Sequence, residues 1–103
     1  MSTPPLNITW DDRKAQANVA KHSVTFAQAA TVLLDPLAVT VFDAAHSRQE
    51  ERWFTLGTSS EGKLLAVSHT YHQSEESTQA DVRIISARKA TPHERQQYEN
   101  EPR

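Results

Sequence analysis

Val82-Arg83-Ile84-Ile85-Ser86-Ala87-Arg88-Lys89-Ala90-Thr91-Pro92-His93-Glu94 joins a β-branched strand to a helix start through a pair of cations. Thr91 can accept a hydrogen bond from the helix backbone, Pro92 suits the first helical position, and Glu94 stands three residues after the cap. The spacing therefore predicts a strand over 80–87 and a helix over 91–99. Arg88 and Lys89 fall at the junction, beside free backbone N–H groups. Two cations at such a point favour an anion such as phosphate. The alternative is a solvated basic turn.

The patterns upstream are consistent with that ending. Residues 6–10 alternate and read as a short strand. Asp11 offers an N-cap, so a helix should run to about Lys21, with Ala15, Val19 and Trp10 on its apolar side. Thr25 followed by Gln28 marks a second capping box, and a helix over 26–34 should pack Phe26, Ala29, Ala30, Leu33 and Leu34. Pro36 prevents that helix from continuing. The period then changes to two, giving strands over 38–42, 52–56 and 63–71, the last two joined at Ser59-Ser60-Glu61-Gly62. Residues 72–79 are polar and read as a loop. The expected order is β-α-α-β-β-β-β-α, an α+β domain whose consecutive strands form an antiparallel meander. Leu64 and Ala66 alternate with Leu65 and Val67, so both sheet faces are part-apolar. The helices are expected to cover one face, leaving the other for a partner.

The chain has 103 residues, no cysteine and a net charge of −2. One domain over 1–103 with a modest core is expected, with flexible ends at 1–5 and 100–103. The absence of cysteine excludes disulfides, thiolate zinc sites and cysteine nucleophiles. No apolar run approaches membrane-spanning length, and Met1-Ser2-Thr3-Pro4-Pro5 does not resemble a signal peptide, so a cytoplasmic protein is expected. The negative charge argues against bulk adhesion to nucleic acid, but cations gather between Arg83 and Arg95.

Five histidines invite a metal reading. His69 and His72 lie three apart on an extended segment and point to opposite faces, and no H-x-x-x-H or H-E-x-x-H pattern exists. No metal and no cofactor are expected. Metal-free RNA cleavage needs less machinery. A base takes the 2′-hydroxyl proton, the oxygen attacks the adjacent phosphate, cations stabilise the charge, and an acid protonates the leaving oxygen. Histidine suits the proton steps because it titrates near neutrality. His22, ending the first helix, and His69, within a strand, are the candidates. Arg52, Arg83 and Arg88 could hold phosphate oxygens, with Lys89 beside them. The structural alternatives are a helix C-cap for His22 and a half-buried strand position for His69. Trp10, Phe26, Phe42 and Phe54 are read as core.

The chain resembles the BrnT toxins, small ribonucleases of type II toxin–antitoxin pairs. The resemblance rests on Ile8-Thr9-Trp10-Asp11, Lys14, Asn18, Lys21-His22, Thr25-Phe26, Asp35-Pro36-Leu37, His46-Ser47, Glu50-Glu51-Arg52, Leu56-Gly57, Arg83 to Thr91 as quoted above, Glu94-Arg95 and Tyr98. It implies a fold similar to RelE-type toxins and an endoribonuclease activity that arrests translation. It implies neutralisation by a BrnA-like antitoxin, an assembly as a dimer of heterodimers, and operator DNA bound through that antitoxin. It adds Lys21 and His46 to the residues expected to meet RNA. Ser23 stands where the family usually has glycine, after the first helix, where glycine tolerates positive φ. A second function fits the same resemblance: a non-catalytic module that binds the antitoxin and acts as operon co-repressor.

Overall fold

A computed structural model describes residues 4–48 and 50–102. The strands are β1 (Leu6–Trp10), β2 (Val39–Phe42), β3 (Arg52–Thr58), β4 (Leu64–Thr70) and β5 (Ala80–Lys89). The helices are α1 (Asp12–His22), α2 (Phe26–Val32) and α3 (Pro92–Asn100), with a short 3-10 turn at Ala44–His46. The order is the expected β-α-α-β-β-β-β-α. All five strands form one sheet in the order β1-β5-β4-β3-β2. The meander β2-β3-β4-β5 is antiparallel, while β1 joins the outer edge of β5 in parallel. That parallel pairing is possible because most of the chain lies between the two strands.

Each helix start follows from its cap. The Asp11 carboxylate accepts from the N–H groups of Arg13 and Lys14. Thr25 with Gln28 and Thr91 with Glu94 form complete capping boxes. α1 ends at Ser23 with φ 58°, a left-handed conformation in a residue other than glycine. α2 stops at Val32, two residues earlier than the apolar pattern suggested, because the chain tightens into turns ahead of Pro36. β5 runs two residues further than expected and carries Arg88 and Lys89 within the strand.

α1 and α2 cover one face of the sheet. Val24, Phe26, Ala29 and Val32 pack there against Leu65, Val67, Ile84 and Ala87. Gly57 lets α2 approach, since a Cβ at that position would lie 2.8 Å from Val32 Cγ1. The apolar side expected for α1 is corrected in part: Ala15 packs against the core, but Val19 is 43% exposed and Trp10 36%. The buried residue of α1 is Asn18. Its Nδ2 donates to the carbonyls of Val24 and Ala87, and its Oδ1 accepts from the Ala87 N–H. β1 pairs only with the stretch from Ala80 to Ile84, so Asn18 satisfies the backbone of β5 where β1 has ended.

The second face is not left bare, contrary to the expectation of helices on one side. α3 lies across its β3 end, and Leu56, Leu64 and Ala66 are buried. No residue of α3 is itself buried. The helix is held by polar ties: Tyr98 Oη donates to Asp35 Oδ2 over 2.5 Å, and Asp35 Oδ2 also accepts from the Thr58 N–H. The rest of this face remains open.

Candidate active site

The open part of the second face is built by strand alternation. Arg52 and Phe54 of β3 point the same way, and register places Ser68 of β4 opposite Phe54 and Ser86 of β5 opposite Ser68. A bulge between Ser68 and His69 puts an extra residue in β5, and Ile85 joins Ser86 on the floor. The loop from Asp43 to Arg48 forms one wall. Two adjoining clefts result. One of about 430 Å³ is lined by Ala45, His46, Arg48, Glu50 and Arg52. The other, about 230 Å³, is lined by Asp43, His46, Arg52, Ser68, Ile85 and Ser86. His46 and Arg52 belong to both.

Arg52 is half-buried and its Nε–H has no hydrogen-bond partner. Its nearest carboxylate oxygen is Glu50 Oε1, 4.0 Å from the guanidinium. Glu50 is instead bound closely by the Arg83 guanidinium. The Arg52 side chain keeps about a third of its surface open to the two clefts, where an anion can meet the guanidinium. Phosphate oxygens suit it in charge and geometry.

Arg88 occupies the next row of the same face, opposite Ala66. Its guanidinium lies over the Phe54 ring, 5.8 Å from the centroid. Glu94 grips it through two hydrogen bonds of 2.7 and 3.0 Å. That bond pair holds the Glu94 carboxyl at about 2, far below its ordinary value. Glu94 also closes the capping box by accepting from the Thr91 N–H. One carboxylate thus fixes both the start of α3 and the direction of Arg88. Phe54, expected in the core, is the platform on which Arg88 rests.

The loop wall is stapled to β3. The Asp43 N–H donates to the Arg52 carbonyl over 2.8 Å. Ser47 Oγ donates to the Asp43 carbonyl and accepts from the Arg52 N–H, at 2.6 and 2.9 Å. His46 Nδ1 donates to Asp43 Oδ2 at 2.8 Å. The residues singled out from sequence therefore separate. Arg52, Arg83, Arg88 and His46 share the open face. Lys89 pairs in register with Leu65, at the strand end and on the alternate side. Lys21 and His22 end α1, which packs on the helix-covered face, and neither lines the clefts.

His69 is on the covered face too, and is 3% exposed. Its Nδ1 donates to the Thr70 carbonyl and its Nε2 accepts from Thr55 Oγ1. Thr40 Oγ1 completes the chain by donating to Thr55. Burial lowers the His69 pKa, partly offset by the Thr70 bond. A neutral, doubly bonded imidazole inside the sheet has no route to an RNA phosphate, so its reading as an acid or base is corrected to a structural one. Asp43, Glu50, Ser68 and Ser86 were not among the site residues expected from the sequence. The i, i+3 spacing of Asp43 and His46 was the one signal that could have singled out Asp43.

A small α+β domain with a cationic cleft beside a loop histidine is the form of a nucleic-acid-processing protein. The comparisons specify the kind. The family model for the ribonuclease toxin BrnT of type II toxin–antitoxin systems matches residues 10–94, and the chain belongs to that family. Among solved structures it is similar to the Brucella abortus ribonuclease toxin BrnT, with 27% identity and a TM-score of 0.60. The similarity covers 84% of this chain and 97% of that one. No curated protein matches the chain.

Proposed function

We propose that this toxin is a metal-independent endoribonuclease that cleaves RNA in the cleft between Arg52, Arg88 and His46. The single observation that carries this reading is the Arg52 side chain lining both clefts, with its guanidinium no nearer than 4.0 Å to Glu50. The guanidinium would take a phosphate oxygen, and Arg88 across Phe54 would neutralise the charge that grows as the phosphorus becomes five-coordinate. Arg83 extends the cationic track towards β1, and His46 reaches the substrate from the loop. Products should carry a cyclic phosphate or 3′-phosphate and a 5′-hydroxyl, because no group besides the 2′-hydroxyl is needed as nucleophile. Purified protein should cut RNA in excess chelator. Activity that vanishes with chelator and returns with a divalent ion contradicts the mechanism.

Cleavage of this kind would arrest translation. Neutralisation by a BrnA-like antitoxin, in a dimer of heterodimers that binds operator DNA through the antitoxin, accords with family membership. Exposed Leu37, Val41 and Phe42 along the β2 edge offer apolar area for such a partner. Co-expression, co-purification and light scattering test the stoichiometry.

One observation favours the second reading, a non-catalytic co-repressor. Arg83 and Arg88 are already engaged by Glu50 and Glu94. A chain whose cations are satisfied internally could keep the antitoxin interface without cleaving RNA. Growth arrest on expression without antitoxin, abolished by Arg52→Ala, separates the two.

A further inference from the structure

His46 is the one imidazole among the described residues that lines the cleft beside Arg52. Its side chain is 67% exposed, so substrate can reach it. Its orientation is nevertheless set. Asp43 Oδ2 takes the Nδ1 proton at 2.8 Å, and a carboxylate can only accept there, so Nδ1 carries the hydrogen and Nε2 presents its lone pair. Asp43 is itself held twice to the Arg52 segment, by its own N–H and through Ser47 Oγ. The imidazole is therefore tied, through Asp43 and Ser47, to the backbone segment that carries Arg52. A group that only attracted RNA by charge would need no such support.

From this arrangement we infer that His46 is the general base of the cleft and that Asp43 is its positioning residue, an assignment that rests on the ribonuclease reading above. Nε2 takes the proton from a ribose 2′-hydroxyl. The 2′-oxygen forms a bond to phosphorus, and the bond from phosphorus to the 5′-oxygen breaks. The departing 5′-oxygen takes a proton from water, and the imidazolium returns its proton to solvent. No proton, electron or cofactor is consumed overall. Asp43 keeps the required tautomer and favours the imidazolium as it forms, the part a buried carboxylate plays beside histidine in hydrolases. The other charged groups lining the space around His46 are Arg48, Glu50 and Arg52.

Single-turnover cleavage of an RNA oligonucleotide tests this in wild type, His46→Ala, Asp43→Asn and Arg52→Ala, with melting temperature and antitoxin co-purification as controls of folding. His46→Ala should lose about 10²-fold or more in rate. The loss should persist on an RNA whose 5′-bridging oxygen is sulfur, because a thiolate leaves without a proton while the 2′-hydroxyl still needs its base. Asp43→Asn should be slower by at least about 10-fold. The loss should lie in the cleavage step, with the protein concentration that gives half the maximal rate unchanged. Full recovery of His46→Ala on the sulfur substrate overturns the base role. A wild-type rate in Asp43→Asn, or a loss confined to RNA binding, overturns the positioning role. An inactive Arg52→Ala beside a fully active His46→Ala leaves the ribonuclease reading standing and removes this one. A wild-type protein that cleaves nothing removes both.

Discussion

The two faces of the sheet treat the same residue type in opposite ways. His69 on the covered face is enclosed, has both ring nitrogens occupied and is held neutral by burial. His46 on the open face is exposed and bonded through Nδ1 to a carboxylate, with Nε2 directed at no described residue. The covered face satisfies Asn18 locally, through the backbone of β5, yet leaves Trp53 Nε1, opposite His69, without a partner. The open face leaves Arg52 Nε without a partner. Stability and chemistry are thus divided between two sides of one strand layer. The two histidines differ because helices close one face while the clefts of the other admit a ligand.

Arg52→Ala should break the contrast most visibly. It removes the guanidinium that lines both clefts, so cleavage should fall by roughly 10²–10³-fold, in the range of a lost oxyanion donor. The melting temperature should change little, and single-turnover assays with calorimetry would check both. Arg88→Lys should likewise lose about 10²-fold, because an ammonium cannot keep two oxygens in the fork geometry. Its stability cost should stay below about 1 kcal/mol, since Arg88 is 39% exposed in its pair with Glu94. Near-wild-type cleavage by the lysine variant would assign Arg88 to holding α3 alone.

On the covered face the order of effects reverses. Asn18→Ala strands two carbonyls and one N–H in a buried place and should cost about 2–4 kcal/mol, read as a shifted urea midpoint. The cleavage rate of the remaining folded protein should be little altered. A loss of activity without a loss of stability would contradict the division between faces.

Acid sharpens the comparison. The folded-state pKa of His69 lies below its unfolded value, so its contribution is complete above about pH 6.5 and is lost as the pH falls towards the folded value. Within that window stability should drop by up to about 1.4 kcal/mol per pH unit. Glu94 has the same sign in a lower window, from its ordinary value of 4.5 down to about 2. Thermal melts between pH 7 and pH 5 should therefore show a slope in wild type that is absent in His69→Gln, with Glu94→Gln unaffected over that range.

The smallest expected effect is at Ser23. Glycine there should remove the cost of φ 58° and stabilise the protein by about 0.5–1 kcal/mol, without altering cleavage. A destabilised Ser23→Gly would mean that the side chain contributes more than the backbone angle costs.

Much of this molecule could be read from the chain because the deciding signals are local. The caps at Asp11, Thr25 and Thr91 act within four residues, and strand alternation is a property of consecutive positions. Pro36 ends a helix wherever it stands. The element order and the meander followed from those signals, and so did the clustering of cations at the end of β5. The left-handed turn expected at Ser23 is likewise a local necessity.

What only the tertiary structure decided is which side of the sheet each residue faces and what it meets there. His69 and Arg52 read as equivalent candidates, yet strand parity in the assembled sheet buries one and opens the other. The pairing of β1 with β5 joins residues more than seventy positions apart, and no local pattern specifies it. Asn18 meets the Ala87 backbone because β1 stops short of it, and α3 is tied to the second face by pairs distant in sequence, Tyr98 with Asp35 and Arg88 with Glu94. Local free energies along a chain choose helices, strands and turns. Facing, burial and the direction of a guanidinium depend on surfaces that come together only when the whole chain has folded.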